Sequence, residues 1–247
     1  MNHRNGEIPG SDASCVAQQV RRCLLIAAAL GWTLMLISET NIVLPNFCSV
    51  RSKYLLDFSW TQFESLLLLN SPSTFVLQWM LMLLAMMPPS LIRPLTHLLE
   101  KNAASHSTAQ TIARFAIAYV TVWMIAAPMF VLVAAILQAL FASHLWALLG
   151  VATLIAMGWR ATPLRQVCLN GCHKEPPACP IAQRSDATGF RYGADIGSSC
   201  IGACWPLMLA AQAAHGEAHA PSMAIAALAM YCERLARPRA ARWRWPL

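Results

Sequence analysis

Cys200, Cys204 and Met208 recur at spacings of four in the stretch Cys200-Ile-Gly-Ala-Cys204-Trp-Pro-Leu-Met208. Residues four apart share one face of a helix, so two thiols and a thioether would form a single stripe. Soft thiolate and thioether donors with no hard carboxylate nearby select Cu(I) over Mg, Ca or Mn. Met82 and Met86, with Met87 adjacent, repeat the spacing elsewhere in the chain. A basic stretch contributes Cys168, Cys172 and His173, with Cys179 further on. In a helical turn Cys168 and Cys172 would face the same way, with the imidazole close by. Copper(I) is the first metal these residues suggest and zinc the second. A zinc site would draw Cys168, Cys172, Cys200 and Cys204 into one four-thiolate set.

A separate group, His215, Glu217 and His219 with His144, suits an uptake site for Cu(II) or Zn(II), since imidazole binds both; the competing reading is solvated loop histidines. The sulfur stripes have an alternative of their own. Cys is a small buried residue and Met fills irregular gaps. Small residues are the usual material of close helix contacts in membranes. On that reading Gly197-Ser198-Ser199-Cys200-Ile201-Gly202-Ala203-Cys204 is a packing ridge.

The elements that would carry these residues follow from composition. The chain has 247 residues, 57% hydrophobic and 12% charged, with a mean hydropathy of +0.48, whereas soluble domains carry about 25% charged residues. The expectation is an all-α, polytopic transmembrane helix bundle. A bilayer core takes ~20 mostly apolar residues per helix. Scanning for them gives crossings at 23–44, 73–92, 115–140, 145–159, 196–214 and 222–236, the fourth and sixth being short. A polar segment, 1–20, precedes the bundle at 21–237; a basic, Cys-containing cytoplasmic loop spans 160–195, and a basic aromatic tail covers 238–247. No small-residue cleavage site closes the first apolar run, which reads as a signal anchor.

Of the 18 Lys and Arg residues, only Arg51 and Lys53 fall outside if the N-terminus is cytoplasmic. The positive-inside rule therefore gives N-in, C-in, in a cell's inner (plasma) membrane. In that orientation Met82, Met86, Met87, Cys200, Cys204 and Met208 share the cytoplasmic half, where thiols stay reduced. The outside connections are 45–72, 142–144 and 215–221. The net charge of +7 sits beside apolar segments, which points to anionic membrane lipid as the partner and not nucleic acid. Cysteines spread through apolar segments argue against a disulfide scaffold. Trp60, Trp159 and Trp205 fit interfacial positions, Arg93 and Arg114 snorkelling anchors, Glu39 the headgroup region, and Glu233 with Arg234 an exposed pair of little energetic weight. Pro88, Pro89, Pro128 and Pro206 predict kinked or broken backbone, tolerated where neighbours satisfy the freed carbonyls.

Three stretches taken together carry a resemblance. Trp79-Met80-Leu81-Met82-Leu83-Leu84-Ala85-Met86-Met87-Pro88-Pro89-Ser90, followed by Pro94, is similar to the W-x-x-M-x-x-A-M-M-x-P-S signature of a family of predicted metal-binding integral membrane proteins without an assigned reaction. Thr162-Pro163-Leu164 with Cys168 and Cys172 resembles that family's basic loop. The segment from Tyr192-Gly193 through Cys200, Cys204, Trp205, Leu207 and Met208 resembles its Cys-rich helix. The match covers about residues 70–236. Ala203 stands where the family has a thiol in C-x-G-C-C-W, and Ser222-Met223-Ala224-Ile225-Ala226 replaces a Met-Asn-Leu-x-Trp-Met stretch. The resemblance implies a membrane fold and a bound metal.

The functional expectation is soft-metal handling, delivery or homeostasis through a Cys/Met site between the second and fifth crossings, with a metal-donor or metal-acceptor protein or a membrane complex as partner. One rival is a non-metal structural or assembly subunit that docks through the small-residue ridge. The other is a membrane metal-dependent oxidoreductase, against which stand the lack of a nucleotide loop, of an informative Ser/His/Asp arrangement and of an inward pair of histidines.

Overall fold

The computed structural model describes residues 10–39, 72–102, 108–141, 145–176, 185–214 and 218–243. Among them every regular element is a helix, with no strand: α1 (Gly10–Glu39), α2 (Pro72–Met86), α3 (Pro88–Asn102), α4 (Thr108–Leu140), α5 (Leu145–Ala161), α6 (Pro163–Gly171), α7 (Ser185–Ala213) and α8 (His219–Leu235). The parallel neighbours α4 and α7 form the most extensive pairing; α1 lies on α2 and α3, while α5, α6 and α8 pack on α7.

Among the described residues three segments are long and apolar enough to cross a membrane, Ala17–Ile37, Thr108–Ala134 and Thr188–Gln212, or up to five if each of two bent helix pairs is one crossing. The sixth stretch read from the sequence forms α8, only 17 residues, shorter than the ~20 a bilayer core takes. Large apolar side chains left bare on several helices, among them Ile26, Ile125, Leu132, Leu154 and Ile225, form the kind of exposed surface that marks contact with lipid or another protein.

The stretch 73–92, expected as one crossing, is two helices whose axes meet at 71°. Pro88 and Pro89 lack N–H groups, so the carbonyls of Leu84 and Ala85 lose the donors a continuous helix would supply. The N–H of Met87 still reaches the Leu83 carbonyl at 2.9 Å, and then the chain turns. The Ser90 hydroxyl donates to the Met87 carbonyl at 2.7 Å and closes the joint. A similar break starts the expected loop 160–195, whose described residues are largely helical. Thr162 caps α6, its Oγ1 accepting the Arg165 N–H at 3.3 Å with Pro163 following. Proline suits a first helical turn, whose N–H groups have no intrahelical partner. Here α5 and α6 meet at 76°.

Glycines set the closest approaches. On α7, Gly189, Gly193 and Gly197 follow one another at i+4 and face the backbone of α4 at Thr111, Phe115 and Tyr119. A Cβ at Gly189 would stand 2.8 Å from the Thr111 carbonyl oxygen, and one at Gly193 would run into that of Phe115. Gly31 does the same for α1 against Ala85 of α2, at 2.6 Å from its backbone nitrogen. This is the small-residue packing by which apolar helices approach when hydrophobic exclusion from water does not drive them together.

α7 also contains Pro206, whose missing N–H would have bonded the Gly202 carbonyl. The indole of Trp159 on α5 donates to that carbonyl instead, at 2.9 Å, and its ring meets Trp205 edge-on with centroids 5.3 Å apart. These tryptophans, expected as interfacial anchors, thus tie α5 to the proline break.

Candidate metal centre

The bend at Met87 and the middle of α7 come together with the end of α8. Between them lies a cavity of about 10 Å³, whose walls include Met86, Met87, Cys200, Ala203, Cys204 and Arg234. That is room for roughly one water-sized particle. Cys200 and Cys204 occupy successive turns of one face and are both buried. The Cys200 Sγ lies 3.9 Å from the Met87 Sδ and accepts from the Tyr119 hydroxyl of α4 at 3.4 Å. Two thiols and a thioether thus converge from α7 and from the α2–α3 joint.

Met82 and Met208 belong to the same buried core but lie off the cavity, one helical turn beyond Met86 and Cys204. The Met82 Sδ accepts from the Gln212 amide at 2.7 Å. Cys168 is on another side of α7: a Cβ at Gly202 would stand 2.5 Å from its Sγ, and residue 202 is rotated by about 200° from residue 200. Cys172 donates its S–H to the Cys168 carbonyl at 3.3 Å. Accordingly, the four thiols do not assemble into one set, and among the described residues no three of His, Cys, Asp or Glu are grouped to hold a metal. Cys23, Cys168, Cys172, Cys200, Cys204 and Cys232 are free thiols.

His173 sits just past α6, its Nε2 3.1 Å from the Ala236 carbonyl. Burial first, and then the charges of Arg93 and Arg234, hold its pKa below the usual value, which keeps the imidazole neutral near pH 7. Burial likewise pushes the Cys172 thiol up to about 12. Of the exterior group, His219 is buried with Nδ1 3.2 Å from the Ala214 carbonyl. His144, His215 and Glu217 lie outside the described residues, as do Cys179 and Trp60. The side chain of Glu39, at the end of α1, is likewise outside them.

The Glu233–Arg234 pair is not the exposed pair expected from sequence. Glu233 bridges α8 to Arg165 of α6 and, at 3.1 Å, to Arg160 of α5; its side chain is 11% exposed and that of Arg165 10%. Arg234 points the other way, its charge acting on Cys200, Cys172, Tyr119 and Cys204. Its Nη1 is buried with no hydrogen-bond partner among the described residues. Tyr119 and Arg234 are the parts of the site that spacing does not reveal. Neither lies at a recognisable interval from the cysteines, and only the packing of α4 and α8 on α7 brings them in.

The sequence model of a family described as PpoB2, copper chaperone, matches residues 76–246. The chain belongs to that family. The matched region contains every wall residue of the thiol cavity. No curated protein and no solved structure matches the chain. The PpoB2 family description supports copper as the cargo; zinc has no such support.

Proposed function

We propose that this chain is a membrane-embedded copper chaperone that holds Cu(I) as cargo between Cys200 and Cys204, with Met87 as a third sulfur donor, and passes it to an acceptor protein or membrane complex. The observation that carries the reading is the convergence of these three sulfurs on one small buried cavity in a chain of the copper chaperone family. The donor chemistry fits the cargo, because thiolate and thioether are the ligands that select Cu(I). Met86, in the same wall, is placed to take up the ion as it moves. With the bent pairs α2–α3 and α5–α6 and the short α8 each crossing beside α1, α4 and α7, the sixteen basic residues expected inside would face the cytoplasm.

Docking of a structural subunit through the ridge Gly197–Cys204 loses support, because Gly197 is already packed against α4 and Gly202 against Cys168 of α6, while Cys200, Ala203 and Cys204 line the cavity. Metal content decides the copper reading. Purified in mild detergent with a reductant and loaded with Cu(I), the wild type is expected to retain about one copper per chain, and the Cys200→Ser, Cys204→Ser double variant close to none. Equal near-zero content in both would sink the proposal.

A further inference from the structure

Beside the thiol cavity lies a second, larger one of about 260 Å³, and its walls are basic. Arg21 of α1, Arg93 of α3, Arg234 of α8 and His173 line it together with Cys172. Among the described residues no carboxylate lines it; Glu233, the nearest acid along α8, is engaged by Arg160 and Arg165. Ser90, Tyr231 and Arg234 form part of the wall of both cavities. The larger space therefore abuts the place where Cys200, Cys204 and Met87 meet, with the guanidinium of Arg234 at the boundary.

A route to a cation site would ordinarily carry negative charge, since a cleft lined by one sign of charge concentrates the opposite sign and repels its own. Three guanidinium groups around one small volume exclude a free copper ion. The same groups favour an anion, and guanidinium forks suit carboxylates in particular.

We infer that the basic cavity receives copper as an anionic Cu(I) complex of small carboxylate-bearing thiols and presents it to Cys200 and Cys204. The inference rests on the copper reading above and adds the form in which the cargo arrives. The exchange balances without a redox step. Two carrier Cu–S bonds break and two form to Cys200 and Cys204. The protons leaving the two cysteine thiols are taken by the two departing carrier thiolates, and copper remains Cu(I).

The test compares two copper sources on the full chain in nanodiscs of zwitterionic lipid: the anionic Cu(I) complex of glutathione and the cationic Cu(I) complex of acetonitrile. The rate of copper loading is followed for wild type and for Arg93→Gln and Arg21→Gln, both exposed side chains whose replacement leaves the core packing alone. Loading from the glutathione complex is expected to fall about tenfold in the double variant at low ionic strength, while loading from the acetonitrile complex rises. Raising the salt is expected to shrink both changes.

Rates from the two sources that move in the same direction, or an unchanged glutathione rate, would overturn the inference. So would a difference between wild type and variant that appears only when anionic lipid is included, because the arginines would then be holding lipid phosphate. Failure of the wild type to take copper from either source would count against the copper reading instead.

Discussion

At Ala203 the proposed donor set is one sulfur short of the resembling family pattern. Its methyl lines the thiol cavity between Cys200 and Cys204, at the position where the resembling family pattern has a thiol. Ala203→Cys would place a third thiol on the same wall, and Cu(I) retention against a soluble chelator is expected to tighten by roughly tenfold, which corresponds to about 1.4 kcal/mol. Weaker retention would mean that the added sulfur fills the cavity instead of lining it. Glu233 makes a separate demand, because breaking a largely buried ion pair leaves an uncompensated charge. Glu233→Gln is expected to destabilise the fold by about 3 kcal/mol, a figure that rests on Arg165, since Arg160 is 45% exposed and screened by solvent. Thermal unfolding in detergent reads the difference, and an unchanged midpoint would contradict it. The cysteine stripe was legible from spacing because a helix converts intervals of four into one face. The division of labour among the thiols was not, since Cys200 lies on the cavity side of α7 whereas Cys168, on α6, meets α7 at Gly202.

At the scale of elements, the prolines were visible as breaks but not as bends of 71° and 76°. Hydropathy sums apolar residues whether or not the axis turns, so 73–92 reads as one crossing. The remedy for Pro206 was invisible for a different reason: its stand-in donor, Trp159, comes from another helix. Trp159→Phe keeps the ring and removes the N–H, leaving the Gly202 carbonyl unmet at a cost of about 1–3 kcal/mol. It is expected to lower the unfolding midpoint and speed amide exchange around Gly202 and Pro206. If neither changes, the bond has no role in holding the break. Gly193→Ala probes the pairing of α4 and α7. The added methyl meets the Phe115 backbone carbonyl, which cannot rotate away as a side chain would. An overpacking penalty of about 1–3 kcal/mol is expected in the same thermal measurement, and a neutral effect would show that the helices separate freely.

Across the whole molecule, basic residues far apart in the chain come to one place. Arg21, Arg93, His173 and Arg234 were assigned to a single side from their positions beside apolar segments, and they line a single cavity. The charge pattern therefore foretold a neighbourhood, although not its depth or its contact with the thiols. His173 reports on this field. Arg93→Gln removes one of the charges that depress its pKa, so the imidazole is expected to titrate at higher pH by NMR; a shift downward would contradict the placement. The linked effect on stability has a definite sign. A depressed folded pKa favours the neutral form, so its contribution is complete above the unfolded value of about 6.5. That contribution is lost as pH falls from there through the folded value.

The joint at Met87 binds two matters together. Its sulfur faces Cys200, and its backbone is where α2 gives way to α3. Copper held by that sulfur, as proposed, would favour one angle between the two helices, and by thermodynamic reciprocity anything that favours another angle would weaken copper by the same factor that copper weakens it. An acceptor that leans on α3 could in this way loosen its cargo before touching it, which would make release a consequence of recognition.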